Sequence, residues 1–231
     1  LTKTANSIKT PVIIINFKVY AEATGEKAVR LATIAKNVAD KSGVCIAVAC
    51  QPTDIAMVAN TGVPTLAQHV DPIHPGNHTG HILGEAIREA GAIGSLVNHS
   101  ERQQTLAAIE KSLEILKRLG MVSVVCTNNV KTSKAVATLE PDFIAIEPPE
   151  LIGTGIPVSK AKPEIVKNGV EAVKTSNPDV KVLCGAGITT REDICAALRL
   201  GAEGVLIASA VTCSNNPKKV LEELVQGVKR A

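Results

Sequence analysis

The chain has 231 residues, 45% of them hydrophobic but only 1% aromatic, and a formal charge of +3 at neutral pH. That length can bury a large core. The charge bias is too small for a nucleic-acid surface, and no apolar run is long enough for a membrane span or patterned as a signal peptide. The core must be built from Val, Ile, Leu and Ala, the residues of parallel strands covered by helices. Six cysteines without a Cys-x-x-Cys pair, several of them inside apolar runs, read as reduced thiols of a cytoplasmic protein. Their even number leaves a disulfide open.

In chain order, Val12 to Ile15 is a β-branched run of the kind buried on both faces, and it ends in the polar Asn16-Phe17-Lys18. Ala28, Leu31, Ile34, Ala35 and Val38 recur at helical spacing, with Gly43 as the stop. Cys45 to Cys50 predicts a second strand, with a short helix opening after Gln51-Pro52-Thr53-Asp54. Thr65 to Gln68 predicts a third strand, followed by a polar loop from His69 to His81. Ile93 to Val97 is a weak fourth strand that delivers Asn98-His99-Ser100-Glu101, where Ser100 and Gln103 form a capping-box pattern.

The helix behind it carries Leu106, Ile109, Leu113, Leu116 and Leu119 on one face and stops at Gly120. Val122 to Cys126 predicts a fifth strand, and Asn129 caps a helix through Leu139. The sixth strand, Phe143 to Ile146, stops at Glu147 and two prolines. Pro163 opens a helix to about Ser176. Lys181 to Cys184 is a seventh strand ending in Gly185-Ala186-Gly187, and Thr190 caps the next helix, stopped by Gly201. Gly204 to Ala208 is the eighth strand, and Asn216-Pro217 starts the last helix.

Eight strand–helix units without a linker predict a single α/β domain over residues 1–231, a (β/α)8 barrel closed by right-handed crossovers. A doubly wound sheet would carry a glycine-rich fingerprint after its first strand, and none is present. The C-terminal strand ends of such a barrel converge on one mouth. Asn16, Lys18, Gln68, His99, Glu147, Gly185, Gly187, Ala208 and Ser209 are expected there. Glu147 precedes a rigid Pro148-Pro149 and then Leu151-Ile152-Gly153-Thr154-Gly155, the pattern of a base beside a lid. Taken singly, each residue has an ordinary reading: a surface glutamate, a satisfied core histidine, a solvated lysine, turn glycines.

Taken together, Asn16-x-Lys18, His99-Ser100-Glu101-Arg102, Glu147-Pro148 with Ile152-Gly153-Thr154-Gly155, and Gly185-x-Gly187 resemble the triosephosphate isomerase family from Pro11 onward. The short helical connections and Glu147-Pro148-Pro149-Glu150-Leu151-Ile152 resemble its compact archaeal branch. The resemblance implies interconversion of dihydroxyacetone phosphate and glyceraldehyde 3-phosphate through an enediolate, without metal or cofactor. It implies Glu147 as base, His99 as neutral electrophile, Lys18 as electrostatic partner and Asn16 as a substrate hydrogen-bonder. It places the phosphate on amides of Ile152 or Gly153, Gly187, Ala208 and Ser209. It also implies a homo-oligomer, tetramer or dimer, in which the third loop reaches a neighbouring subunit.

Four positions depart from the family's commonest pattern. Asn98 stands where a glycine is usual, Glu150 where a lid tryptophan is usual, Cys184-Gly185-Ala186-Gly187 replaces a Tyr-Gly-Gly-Ser turn, and Ala208-Ser209 replaces a glycine pair. Three rival readings stay open at this point. They are another phosphosugar barrel enzyme, a non-catalytic phosphometabolite binder, and a zinc protein built on His69, His74, His78 and His81.

Overall fold

A computed structural model describes residues 8–148 and 163–231. Eight parallel strands close on themselves in sequence order, with the first hydrogen-bonded to the last. They are β1 (Val12–Asn16), β2 (Cys45–Cys50), β3 (Thr65–Ala67), β4 (Gly94–Val97), β5 (Val122–Thr127), β6 (Phe143–Ile146), β7 (Lys181–Cys184) and β8 (Gly204–Ile207). The described helices are α1 (Glu26–Ser42), α2 (Ile55–Ala59), α3 (Gly84–Glu89), α4 (Leu106–Leu119), α5 (Val130–Ala137), α6 (Pro163–Ser176), α7 (Arg191–Arg199), α8 (Ser209–Thr212) and α9 (Pro217–Arg230). A 3-10 turn at Ala21–Ala23 precedes α1.

Strand residues alternate between two apolar clusters, as a side-chain period of two demands. Val12, Ile14, Ala47, Ala49, Leu96, Val124, Ala145, Leu183 and Leu206 fill the barrel interior. Ile13, Ile15, Ile46, Val48, Val97, Val125, Ile144, Val182 and Val205 face outward and pack with helical residues such as Leu31, Leu116, Ile194 and Leu224. Both faces are buried, so the strands are apolar throughout, and the interior is a packed core with no room for a pore.

The same alternation sets which side chains reach the mouth. Asn16 continues the inward series of Val12 and Ile14, and Glu147 continues that of Phe143 and Ala145. His99 would follow the outward-facing Val97, but Asn98 adopts a left-handed φ of 59° and resets the direction. Asn is among the few non-glycine residues that tolerate that region, which accounts for its standing in a glycine's place.

Helix ends follow local chemistry. Thr190 and Asp193 form a reciprocal capping box on α7, Asn129 caps α5, and Asn216 with Pro217 starts α9. The capping pattern expected at Ser100 is corrected. Residues 99–102 form a turn in which the Arg102 N–H donates to the His99 carbonyl at 2.7 Å, and α4 starts only at Leu106. Thr105 is the cap, accepting from the Ala108 N–H, because it directly precedes the amphipathic run. No described helix is long and apolar enough to cross a membrane.

Candidate active site

The mouth pocket is lined by Asn16, Lys18, Tyr20, His99 and Glu147, by Gly185 and Gly187 to Thr189, and by Leu206 to Ala210. Every described residue expected at the site from sequence, apart from Gln68 behind it, lines this pocket. Ile152 and Gly153 lie outside the described residues.

Lys18 sits at the end of a short hook. It has a φ of 47°, its N–H donates to Asn16 Oδ1 at 2.9 Å, and its carbonyl accepts from Gln68 Nε2 at 2.8 Å. Gln68 also reaches Asn16 Oδ1 at 3.3 Å and the Ala49 carbonyl at 3.2 Å. One amide therefore staples three strand ends and holds a strained backbone that the sequence alone does not announce. The Lys18 ammonium pairs with Glu101 Oε1 at 2.9 Å.

His99 is buried, and its Nδ1 accepts the Glu101 N–H at 3.2 Å. That bond assigns the remaining ring proton to Nε2, which lies 3.7 Å from Glu147 Oε1. Burial first, and then the Lys18 charge, hold the imidazole below its ordinary pKa, with Glu101 opposing. His99 is therefore a neutral donor aimed into the mouth. Its neutrality arises from burial, Lys18 and a turn amide, and the helix terminus expected behind it is several residues further on.

Glu147 is only 5% exposed, and its Oε2 has no hydrogen-bond partner among the described residues. Burial pushes its carboxyl up to about 7, against the opposing pull of the Cys126 thiol and of Lys18, while Glu101 adds to the rise. Cys126 ends the inward face of β5, in register with Ala145 and thus beside Glu147. Its place against the base was missed in sequence, although strand register carries the signal. Gly185 is equally tight, since a Cβ there would lie 2.3 Å from Glu147 Cγ.

A second polar cluster braces the histidine turn. His69 Nε2 meets Asp71 Oδ1 at 3.0 Å, Asp71 Oδ2 accepts the Ile82 N–H at 2.6 Å, and Arg102 Nη2 reaches Asp71 Oδ1 at 3.4 Å. His69 thus serves the third loop, and among the described residues no group of three His, Cys, Asp or Glu is arranged to hold a metal. His78 and His81 meet edge to face, with ring centroids 5.5 Å apart.

Comparison with known proteins decides the lineage. A family model described as triosephosphate isomerase matches residues 11–226. The chain belongs to the triosephosphate isomerase family. Triosephosphate isomerase of Methanothermus fervidus is 57% identical over 216 residues, covering 93% of this chain and 97% of that one. The Methanocaldococcus jannaschii protein of the same name is 55% identical over 215 residues, covering 93% and 98%. The similarity is to archaeal triosephosphate isomerases, as the short connections imply. A triosephosphate isomerase structure from Bartonella henselae matches with a TM-score of 0.70 at 20% identity, covering 96% of this chain and 99% of that chain. At that distance it supports the barrel fold alone.

Within the triosephosphate isomerase frame, the departures at the last two strands have a geometric account. Gly187 takes a left-handed φ of 72°, which suits glycine, whereas neither Ala208 nor Ser209 has the positive φ that would call for one.

Proposed function

We propose that Glu147, His99 and Lys18 carry the isomerisation of triose phosphate by this enzyme. The pairing of a carboxylate base with a neutral imidazole is itself described for triosephosphate isomerase; it is transferred here to the matching residues. Ionised Glu147 takes the proton from the carbon beside the substrate carbonyl. The His99 Nε2–H donates to the oxygen where enediolate charge develops, and Lys18 stabilises that charge. The proton held on Glu147 is then returned to the neighbouring carbon, so no group is gained or lost. Asn16 Oδ1 is occupied by Lys18 and Gln68, leaving the Asn16 Nδ2–H2 to donate to a substrate oxygen. The phosphate is assigned to the amides of Ile152 or Gly153, Gly187, Ala208 and Ser209. First-turn amides have no intrahelical acceptor, and glycine allows close approach.

The observation that carries this reading is the opposed pair itself. A buried carboxyl with a pKa of about 7 faces a neutral imidazole donor at 3.7 Å, beside Lys18 at the mouth. A mere phosphometabolite binder has no use for a base whose burial costs stability. The test is a coupled assay of glyceraldehyde 3-phosphate isomerisation without added metal. Glu147→Gln should lose about three powers of ten in kcat with a modest change in KM. An inactive parent that still binds triose phosphate would favour the binder.

The same reading includes a cytoplasmic homo-oligomer, tetramer or dimer. Its supports are six unpaired cysteines and Val19, 76% exposed directly after Lys18 in an otherwise covered apolar series. The third loop is the assigned contact. Light scattering should return a multiple of 24.1 kDa, and a monomer at working concentration would contradict it.

A further inference from the structure

Away from the mouth, a cavity of about 520 Å³ opens between α7 and α9 on the outer wall of the barrel. Its lining is Cys195, Ala196, Leu200 and Gly227 along the floor, with Arg191, Arg199 and Arg230 around it. The two helices touch at Gly227, where a Cβ would lie 2.3 Å from Ile194 Cγ2. Beside that contact the small side chains of Cys195 and Ala196 leave the groove unfilled.

The charge around this apolar hollow is lopsided. Glu192, the only carboxylate in the lining among the described residues, is taken up by Arg191 at 2.5 Å, and Glu223 also acts on Arg191. Arg199 and Arg230 make no ion pair among the described residues. Arginines near helix C-termini offset the helix dipole wherever they stand, but that role does not require an unfilled hollow between them. A hollow of this size matches small-molecule pockets, and a guanidinium fork matches a carboxylate or phosphate.

We propose that the groove between α7 and α9 binds a small anionic amphiphile, an apolar body carrying a carboxylate or phosphate head. The body lies on Ala196, Leu200 and Gly227, and the head is held by Arg199 and Arg230. Triose phosphate has no apolar body and does not compete for this groove.

The probe is 8-anilinonaphthalene-1-sulfonate, titrated against the native enzyme and then displaced with decanoate or with decyl phosphate. One saturable site per chain is expected, displaced by at least one of the two amphiphiles; the preferred head identifies the source. Saturating triose phosphate should not displace the dye. The double variant Arg199→Glu/Arg230→Glu should weaken binding by about tenfold or more, as expected for two lost charge-assisted hydrogen bonds, with isomerase activity unchanged and the melting temperature lowered by no more than a few degrees, the share owed to the helix dipoles. Bound decanoate should also slow alkylation of Cys195, followed by peptide mass mapping. Displacement of the dye by triose phosphate would put it in the barrel mouth and overturn the proposal. So would binding indifferent to the charge reversal. Dissociation of the native assembly by the double variant would show a second copy of the chain on this face, and that also overturns it.

Discussion

A carboxylic acid sealed into a barrel mouth keeps its proton longer than one in water. For Glu147 the raised carboxyl, about 7 against an ordinary 4.5, has two consequences of opposite use. For catalysis the ionised form is needed, so kcat/KM of the free enzyme should fall as pH drops below about 7, with a slope of one proton. For stability the raised group favours the folded state while protonated, and that contribution is lost as pH rises through about 7. Glu147→Gln should therefore be more stable than the parent above pH 7, by on the order of 3 kcal/mol, and the two should converge near pH 4. Denaturant unfolding at several pH values checks this, and a pH-independent difference would contradict it. Gly185→Ala tests positioning at the same scale. The added methyl cannot share space with Glu147 Cγ, so kcat should fall about a hundredfold in a folded protein, with KM moving less. The principal mouth residues were legible in sequence because polar side chains ending apolar strands have few places to go. The geometry that tunes them was not, since Gln68 and Cys126 act across distances that only the closed barrel supplies, and the Glu101 amide reaches His99 through a local turn that the cap pattern concealed.

At the scale of elements, capping and close packing decide more than propensity does. The contact of α7 with α9 depends on the missing side chain at Gly227, where a Cβ would also meet the Arg191 carbonyl at 2.4 Å. Gly227→Ala should cost about 1–3 kcal/mol, read as a lower melting temperature with kcat retained. Asn98→Ala removes both the tolerance of a left-handed φ and the side-chain bonds to the Gln104 N–H at 2.8 Å and the Cys126 carbonyl at 2.9 Å. It should lower stability and kcat together, because the same residue turns His99 inward. β2, β6 and β7 fall where their apolar runs place them, and the helices capped by Asn129, Thr190 and Asn216 start where those side chains stand. Among the described residues, the elements not foreseen are Ala21–Ala23, α3 and α8, each too short to carry a helical period. Ser100 misled because the turn there has its own bonds, from the Arg102 N–H to the His99 carbonyl and between Asn98 and Gln104, with Arg102 also reaching Asp71 of the third loop.

At the scale of the whole molecule, closure of the sheet turns eight separate apolar runs into one enclosed interior, and that closure was readable from repetition alone. Assembly between copies is a different matter, because a single chain holds only half of each contact. Val19, exposed beside the site, belongs to such a contact in the proposed oligomer. Val19→Asp should shift the mass by light scattering toward 24.1 kDa, and an unchanged mass would place the contact elsewhere.

The aliphatic core has one more consequence, for observation. A chain with no tryptophan and a single tyrosine emits ultraviolet fluorescence almost entirely from Tyr20, and Tyr20 lines the mouth. Its emission is therefore a built-in optical gauge of what occupies the mouth, readable without any label.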